Sequence, residues 1–234
     1  MRLCRCVFQA FRVLLVVLSL SGLLAVVPLV AAQENVHQVL EERLGPGQTK
    51  GAPTAPVIME EFSDFQCSYC GKFSRETLPR LTKAYVDTGM VRLIYRHYAI
   101  LGPDSEAAAE ASACAGAQGQ FWPYHDRLFA AQGRSAFTEK NLLRLAHELS
   151  LDLTAYAACL GSGRFRSQVR AETNAAMALG LRGTPGFVIN GRPLVGALPF
   201  DVFQSVIEEA LATAASSPSS PPEAGTSSPP ESSK

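Results

Sequence analysis

The stretch EEFSDFQCSYCGKF, Glu60 to Phe73, constrains this chain more than any other. Ahead of it, Ala55 to Phe62 (APVIMEEF) reads as a buried strand. Behind it, Phe73, Leu78, Leu81 and Tyr85 recur at helical spacing until Gly89, with Pro79 expected to kink the helix. Met90 to Ile100 then reads as a second strand, alternating at Val91, Leu93 and Tyr95. Cys67 and Cys70 therefore stand at the strand-to-helix junction of a strand–helix–strand unit.

From Asp104 to Leu179 every signal is helical. Asp104 is expected to cap the first helix, and Thr138 a later one, with Phe137 and Leu142 at hydrophobic-staple positions. Strand signals return at Phe187 to Ile189 and Pro193 to Val195, joined by Asn190-Gly191, a strong hairpin signature. The segment LPFDVFQSVIEEALATA closes the body as an amphipathic helix. The expected division is a leader over 1–32, a helix and linker over 33–52, and a first α/β part over 53–100. A helical insertion over 101–180, a second α/β part over 181–214 and a Ser/Pro-rich tail over 215–234 follow. That tail holds too little apolar surface to offset its ordering entropy and is expected to be disordered.

Arg2, Arg5 and Arg12 precede an uncharged run from Val13 to Val30, and small residues at Ala31 and Ala32 suit a signal peptidase. The run approaches membrane-spanning length, but Gly22 and Pro28 interrupt it, favouring a cleaved signal over an anchor. Either way the body is expected to be exported, to the periplasm or another extracytoplasmic space. Of the six cysteines, Cys4 and Cys6 fall in the leader. The other four would meet an oxidising compartment. Basic and acidic residues balance at 21 each and form no basic stripe, so nothing points to nucleic acid.

Three readings compete for Cys67 and Cys70. A closed zinc site needs four ligands, whereas Cys114, Cys159, His37, His97, His125 and His147 are scattered singly. As a staple the pair closes too short a loop to remove much chain entropy. A redox pair has a mechanism. A cysteine at a helix N-terminus faces free N–H groups and the positive end of the dipole, which favour thiolate. Cys67 is so placed, with Cys70 one turn further in.

EFSDFQCSYCGKF, followed far downstream by GTPGFVINGR, resembles the DsbA-like branch of the thioredoxin superfamily over about Pro53 to Ala214. The resemblance implies a thioredoxin fold, of the α/β class, interrupted by an all-helical domain. It implies Cys67 as the nucleophile, Cys70 as the resolving thiol, and a cis Thr184–Pro185 bond in a loop facing them and pairing with extended clients. Glu61 matches the position of a buried acid beneath the pair, able to exchange protons with Cys70, with Glu60 and Asp64 as rivals. Ser68 and Tyr69 match neither the Gly-Pro of thioredoxin nor the Pro-His of well-known oxidases of the branch. Relatives often carry a second cysteine pair. A Cys114–Cys159 bridge would be structural and worth about 4 kcal/mol, against an alternative of two buried thiols. Trp122 reads as core rather than client-binding.

The expectation is an exported protein disulfide oxidoreductase working in the oxidising direction on client proteins with free thiols. It would need no bound cofactor or metal, and its redox partner would be a membrane oxidase of the DsbB type. Transient membrane association would come only through the N-terminus. A disulfide isomerase or reductase kept reduced stays open as an alternative. So does a non-enzymatic soft-metal binder using Cys67 and Cys70, though no Met- or His-rich stretch supports it.

Overall fold

The computed structural model describes residues 36–133 and 136–216. The expected leader and nearly all of the expected tail lie outside those residues. Among the described residues no helix is long and apolar enough to cross a membrane.

Strands β2 (Val57–Ser63) and β3 (Val91–His97) are buried along almost their whole length. Burial on both faces explains why β2 reads as a continuous run rather than a clean alternation. They pair in parallel, from Val57 opposite Val91 to Ser63 opposite His97. A parallel pair needs a crossover, and helix α2, residues 68–86, supplies it. Pro79 does not end this helix. The chain forms a π-helical turn over Phe73–Thr77, in which the Leu78 N–H donates to the Phe73 carbonyl, and Pro79 follows at the start of a fresh α-helical turn. A proline is tolerated there because the missing N–H falls in a first turn.

On the other side of β2, β4 (Gly186–Ile189) pairs antiparallel, and β5 (Arg192–Val195) pairs antiparallel with β4. Asn190 and Gly191 join them with φ of 43° and 84°, the positive pair that a two-residue hairpin turn requires. Residues 33–52 hold the expected helix, α1 (Val36–Leu44), and also an unforeseen strand. That strand, β1 (Gln48–Lys50), lies antiparallel against the free edge of β3. The sheet order is β1-β3-β2-β4-β5.

Helix α2 and the last helix, α8 (Phe200–Ser216), cover one face of the sheet, packing Phe73, Leu81, Phe203 and Ile207 against Val57, Met59, Phe187 and Ile189. Among the described residues, five helices intervene between β3 and β4: α3 (Pro103–Gly116), α4 (Phe121–Ala130), α5 (Glu139–Glu148), α6 (Leu153–Gly161) and α7 (Arg166–Ala178). The last of these joins α1 on the opposite face, where Leu40 and Ala176 meet Phe62 and Val188. The architecture is a thioredoxin fold with an inserted all-helical domain.

Asp104 does not cap α3. Gly102 holds that position with φ 121°, a conformation that excludes most side chains, and Asp104 sits in the first turn, where its charge still complements the dipole. Thr138 does cap α5, its hydroxyl accepting from the Asn141 N–H at 3.4 Å over buried Phe137 and Leu142. A disulfide between Cys114 on α3 and Cys159 on α6 crosses the insertion.

Candidate active site

The end of β2 builds a tight turn before α2. The Asp64 Oδ1 accepts from the Gln66 N–H at 2.8 Å and the Ser105 hydroxyl at 2.7 Å. Its Oδ2 accepts from the N–H groups of Ile100 and Leu101 at 2.9 and 3.1 Å. With four donors, Asp64 is a turn-former that ties the β2–α2 turn to the chain leaving β3. The turn hands the chain to Cys67, which stands at the N-cap of α2 with its N–H donating to the Asp64 carbonyl.

Both Cys67 and Cys70 are free thiols, but their settings differ. Cys67 retains 8% of its surface and Cys70 none, which makes Cys67 the sulfur an incoming group can reach. The Cys67 thiol is pulled down to about 6. Its thiolate accepts from the Cys70 thiol, the largest cause, then from the Thr184 hydroxyl and the backbone N–H groups of Cys70 and Tyr69, while partial burial opposes them. Burial pushes Cys70 far the other way, and the neighbouring Cys67 adds to that shift. Only the Asp64 N–H at 3.5 Å and the Ser63 hydroxyl oppose it. Tyr69, between the two, is 66% exposed and forms part of the rim.

The Thr184–Pro185 peptide is cis and lies directly across from Cys67, whose thiol donates to the Thr184 carbonyl at 3.3 Å. The Gly196 N–H donates to the Pro185 carbonyl at 2.8 Å, fastening this loop to the end of β5.

The three candidate acids separate cleanly. Glu60 points to the α1/α7 face, where it accepts from the Arg96 Nε at 2.8 Å and meets the His37 Nδ1 at 2.7 Å. Asp64 is spent on the turn. Glu61, between Tyr95 on β3 and Phe187 on β4, is fully buried, and among the described residues neither carboxyl oxygen has a hydrogen-bond partner. Burial pushes it up to about 8, with the Ser63 hydroxyl as a weaker opposing influence.

The sequence marked Tyr95 as an alternating position of the second strand, not as a site residue. Its phenol is driven well above its ordinary range by burial, then by Glu61, Cys70 and Asp64, and its hydroxyl donates to the Ser63 carbonyl at 3.4 Å. Aromatic rings pack around Tyr95 and His97: Phe65 from the β2–α2 turn, itself against Phe129, and Phe121 and His125 from the insertion. His97 and His125 are buried and their basicity is lowered, His97 to about 3. Trp122 stands outside the thiol centre. Its Nε1 donates to the Thr49 carbonyl of β1 at 2.9 Å, under the Lys50 ammonium.

Gln132, just beyond α4, was missed as well. Its side-chain Nε2 donates to the carbonyls of Phe65 at 2.8 Å and Cys67 at 2.9 Å. No local signal marks a residue that acts 65 positions away from its partner.

The family profile described as Thioredoxin matches residues 44–209. A probable disulfide bond formation protein D of Bacillus anthracis is 30% identical over 171 residues, covering 70% of this chain and 78% of the relative. The chain belongs to the DsbA-like branch of the thioredoxin family. The crystal structure of oxidised BdbD from Bacillus subtilis superposes with a TM-score of 0.67 at 24% identity, over 74% of this chain and 95% of that one. A Na(+)/H(+) antiporter, NhaA 3 of Salinispora tropica, is 34% identical over 167 residues. Those residues are 70% of this chain and 25% of the antiporter, so the chain spans about a quarter of the length of that relative.

Proposed function

We propose that this DsbA-like chain is an extracytoplasmic protein disulfide oxidoreductase that passes a Cys67–Cys70 disulfide to client thiols. The observation that carries the reading is the asymmetry of the pair: a reachable sulfur held near 6 and a buried one held far above its ordinary value. A client thiolate attacks Cys67 Sγ, the S–S bond breaks, and the Cys70 sulfur leaves with the electron pair. A buried Cys70 thiolate is strongly disfavoured, so it takes a proton, and Glu61, pushed up to about 8, carries one at neutral pH. A second client thiolate then attacks the client sulfur of the mixed disulfide and expels Cys67 as a thiolate. The client gains a disulfide, the enzyme holds two more electrons, and Glu61 regains its proton from solvent.

Thr184 and cis Pro185 present a backbone edge beside Cys67, suited to strand-like pairing with an extended client. Stabilising the Cys67 thiolate stabilises the reduced protein, which favours the oxidising direction. Turnover then requires a membrane oxidase of the DsbB type to draw the electrons away. The N-terminal leader expected from the sequence would deliver the chain to that compartment.

The test is the reduction potential of the couple, read by equilibration in glutathione buffers and alkylation mass shift, with Cys114–Cys159 as the internal control. A value near about −120 mV supports the oxidase, and one toward about −270 mV reverses the direction. Failure of Cys67 and Cys70 to form a bond at any poise would overturn the reading.

A further inference from the structure

The catalytic turn is held from outside the thioredoxin fold by one side chain of the insertion. Gln132 places its amide nitrogen between the carbonyls of Phe65 and Cys67, at 2.8 and 2.9 Å, bracketing the two peptide units that enter α2. Its Oε1 faces α2, where Arg75 donates to it at 3.5 Å and to the Phe129 carbonyl at 2.9 Å. Room for this approach exists only because position 71 is glycine. A Cβ there would lie 2.1 Å from the Gln132 Oε1 and 2.7 Å from the Arg75 guanidinium. Gly71 has no unusual backbone conformation to account for its lack of a side chain, being an ordinary buried residue of the helix. A glycine inside a helix costs about 0.5–1 kcal/mol relative to alanine. The close approach of Gln132 is the physical reason for it here.

We infer that Gln132, seated over Gly71 and braced by Arg75, is a positioning residue that fixes the Cys67 turn and so sets how well its N–H donors meet the Cys67 sulfur. The Cys67 carbonyl already accepts the helical bond from the Gly71 N–H at 3.0 Å. Gln132 adds a second donor to that oxygen and one to the Phe65 oxygen, so the 65–66 and 67–68 peptide planes, before and after the Gln66–Cys67 peptide, are clamped. Those planes aim Cys67 at Thr184 and hold it over the Tyr69 and Cys70 N–H groups that favour thiolate. The insertion thus acts on the thiol through geometry, without touching it.

Two variants of the full chain test this from opposite directions. Gln132→Met removes the donors while keeping length and volume. Gly71→Ala keeps every hydrogen-bonding group, improves helix propensity, and displaces Gln132. In both, the Cys67 thiolate titration of the reduced protein, read by ultraviolet absorbance, should rise from about 6 by roughly one unit. The glutathione equilibrium at neutral pH should move about fivefold toward the disulfide, because the reduced state loses its thiolate stabilisation. If both variants keep the wild-type titration, the inference is wrong even where Tm falls, since a purely structural contact would lower Tm alone. Should Gln132→Met fail to fold, Gly71→Ala decides the question by itself. The inference rests on the redox reading, but the titration needs no disulfide. A wild-type chain that never forms the Cys67–Cys70 bond sinks that reading, whereas a normal couple with unmoved variants sinks only this one.

Discussion

Glu60 and Glu61 are neighbours on one strand, both buried, and they live in opposite worlds. On the α1/α7 face, Glu60 belongs to a network. Arg96 donates to it and also to the Gly45 carbonyl at 2.7 Å, and lies 3.7 Å from Glu172. Glu172 in turn accepts from the His97 N–H and from Gln168. On the α2 face, the Glu61 oxygens find no hydrogen bond of good geometry among the described residues; the Ser63 hydroxyl opposes burial only weakly, and the carboxyl in turn raises the neighbouring Tyr95 phenol. Buried charges kept for architecture are compensated, because an unpaired one costs several kcal/mol. The carboxyl left uncompensated is Glu61, the acid proposed above to hand its proton to Cys70.

The contrast breaks most visibly under Glu61→Gln. Its carboxyl, ordinary at about 4.5 when unfolded and about 8 when folded, binds its proton more tightly in the native state. Its contribution is fully present below about 4.5 and is lost as pH rises through about 8. Urea unfolding should therefore show the variant gaining on wild type with rising pH, by at most about 5 kcal/mol above pH 8. Disulfide exchange by the variant should also lose its pH dependence near 8. Equal pH-stability curves for the two proteins would mean that Glu61 is compensated after all.

Arg96→Met attacks the other face. It leaves Glu60 and Glu172 buried without their shared cation and should cost about 3–5 kcal/mol by the same measurement, with the Cys67 titration unmoved. A shifted thiol would show that the two faces are not independent. His37→Ala is the mildest probe. The ring is partly exposed and bridges Glu60 to Glu41 on α1, so a loss of about 1 kcal/mol is expected, seen as faster amide exchange confined to α1.

Why the sequence could not rank these acids is plain from the strand itself. Period-two alternation tells that Glu60 and Glu61 face opposite ways, but β2 is buried on both faces, so apolar pattern does not say which side meets α2. Asp64 looked similar as a lone acid beside the cysteines, and only long-range donors at Ile100, Leu101 and Ser105 mark it as a turn-former. Elements with strong local chemistry were legible: the strand–cysteine–helix junction, the Asn190-Gly191 turn and the Thr138 cap. β1 was not, because Gln-Thr-Lys has no alternation and becomes a strand only through the edge of β3. The cap of α3 went to Gly102 rather than Asp104 since backbone geometry outranked side-chain preference. Gln132 speaks only in three dimensions.

The placement of the insertion between β3 and β4 also orders events in time. As the chain is synthesised, Cys67 and Cys70 emerge early, then Cys114 and Cys159, and the Thr184–Pro185 loop only after all of α3 to α7. The loop that faces Cys67 cannot be docked until β4 has found β2, so the reactive centre is among the last parts of the molecule to be assembled. A nascent chain thus carries its thiols without the surroundings that sharpen them, and reactivity arrives together with completion of the sheet.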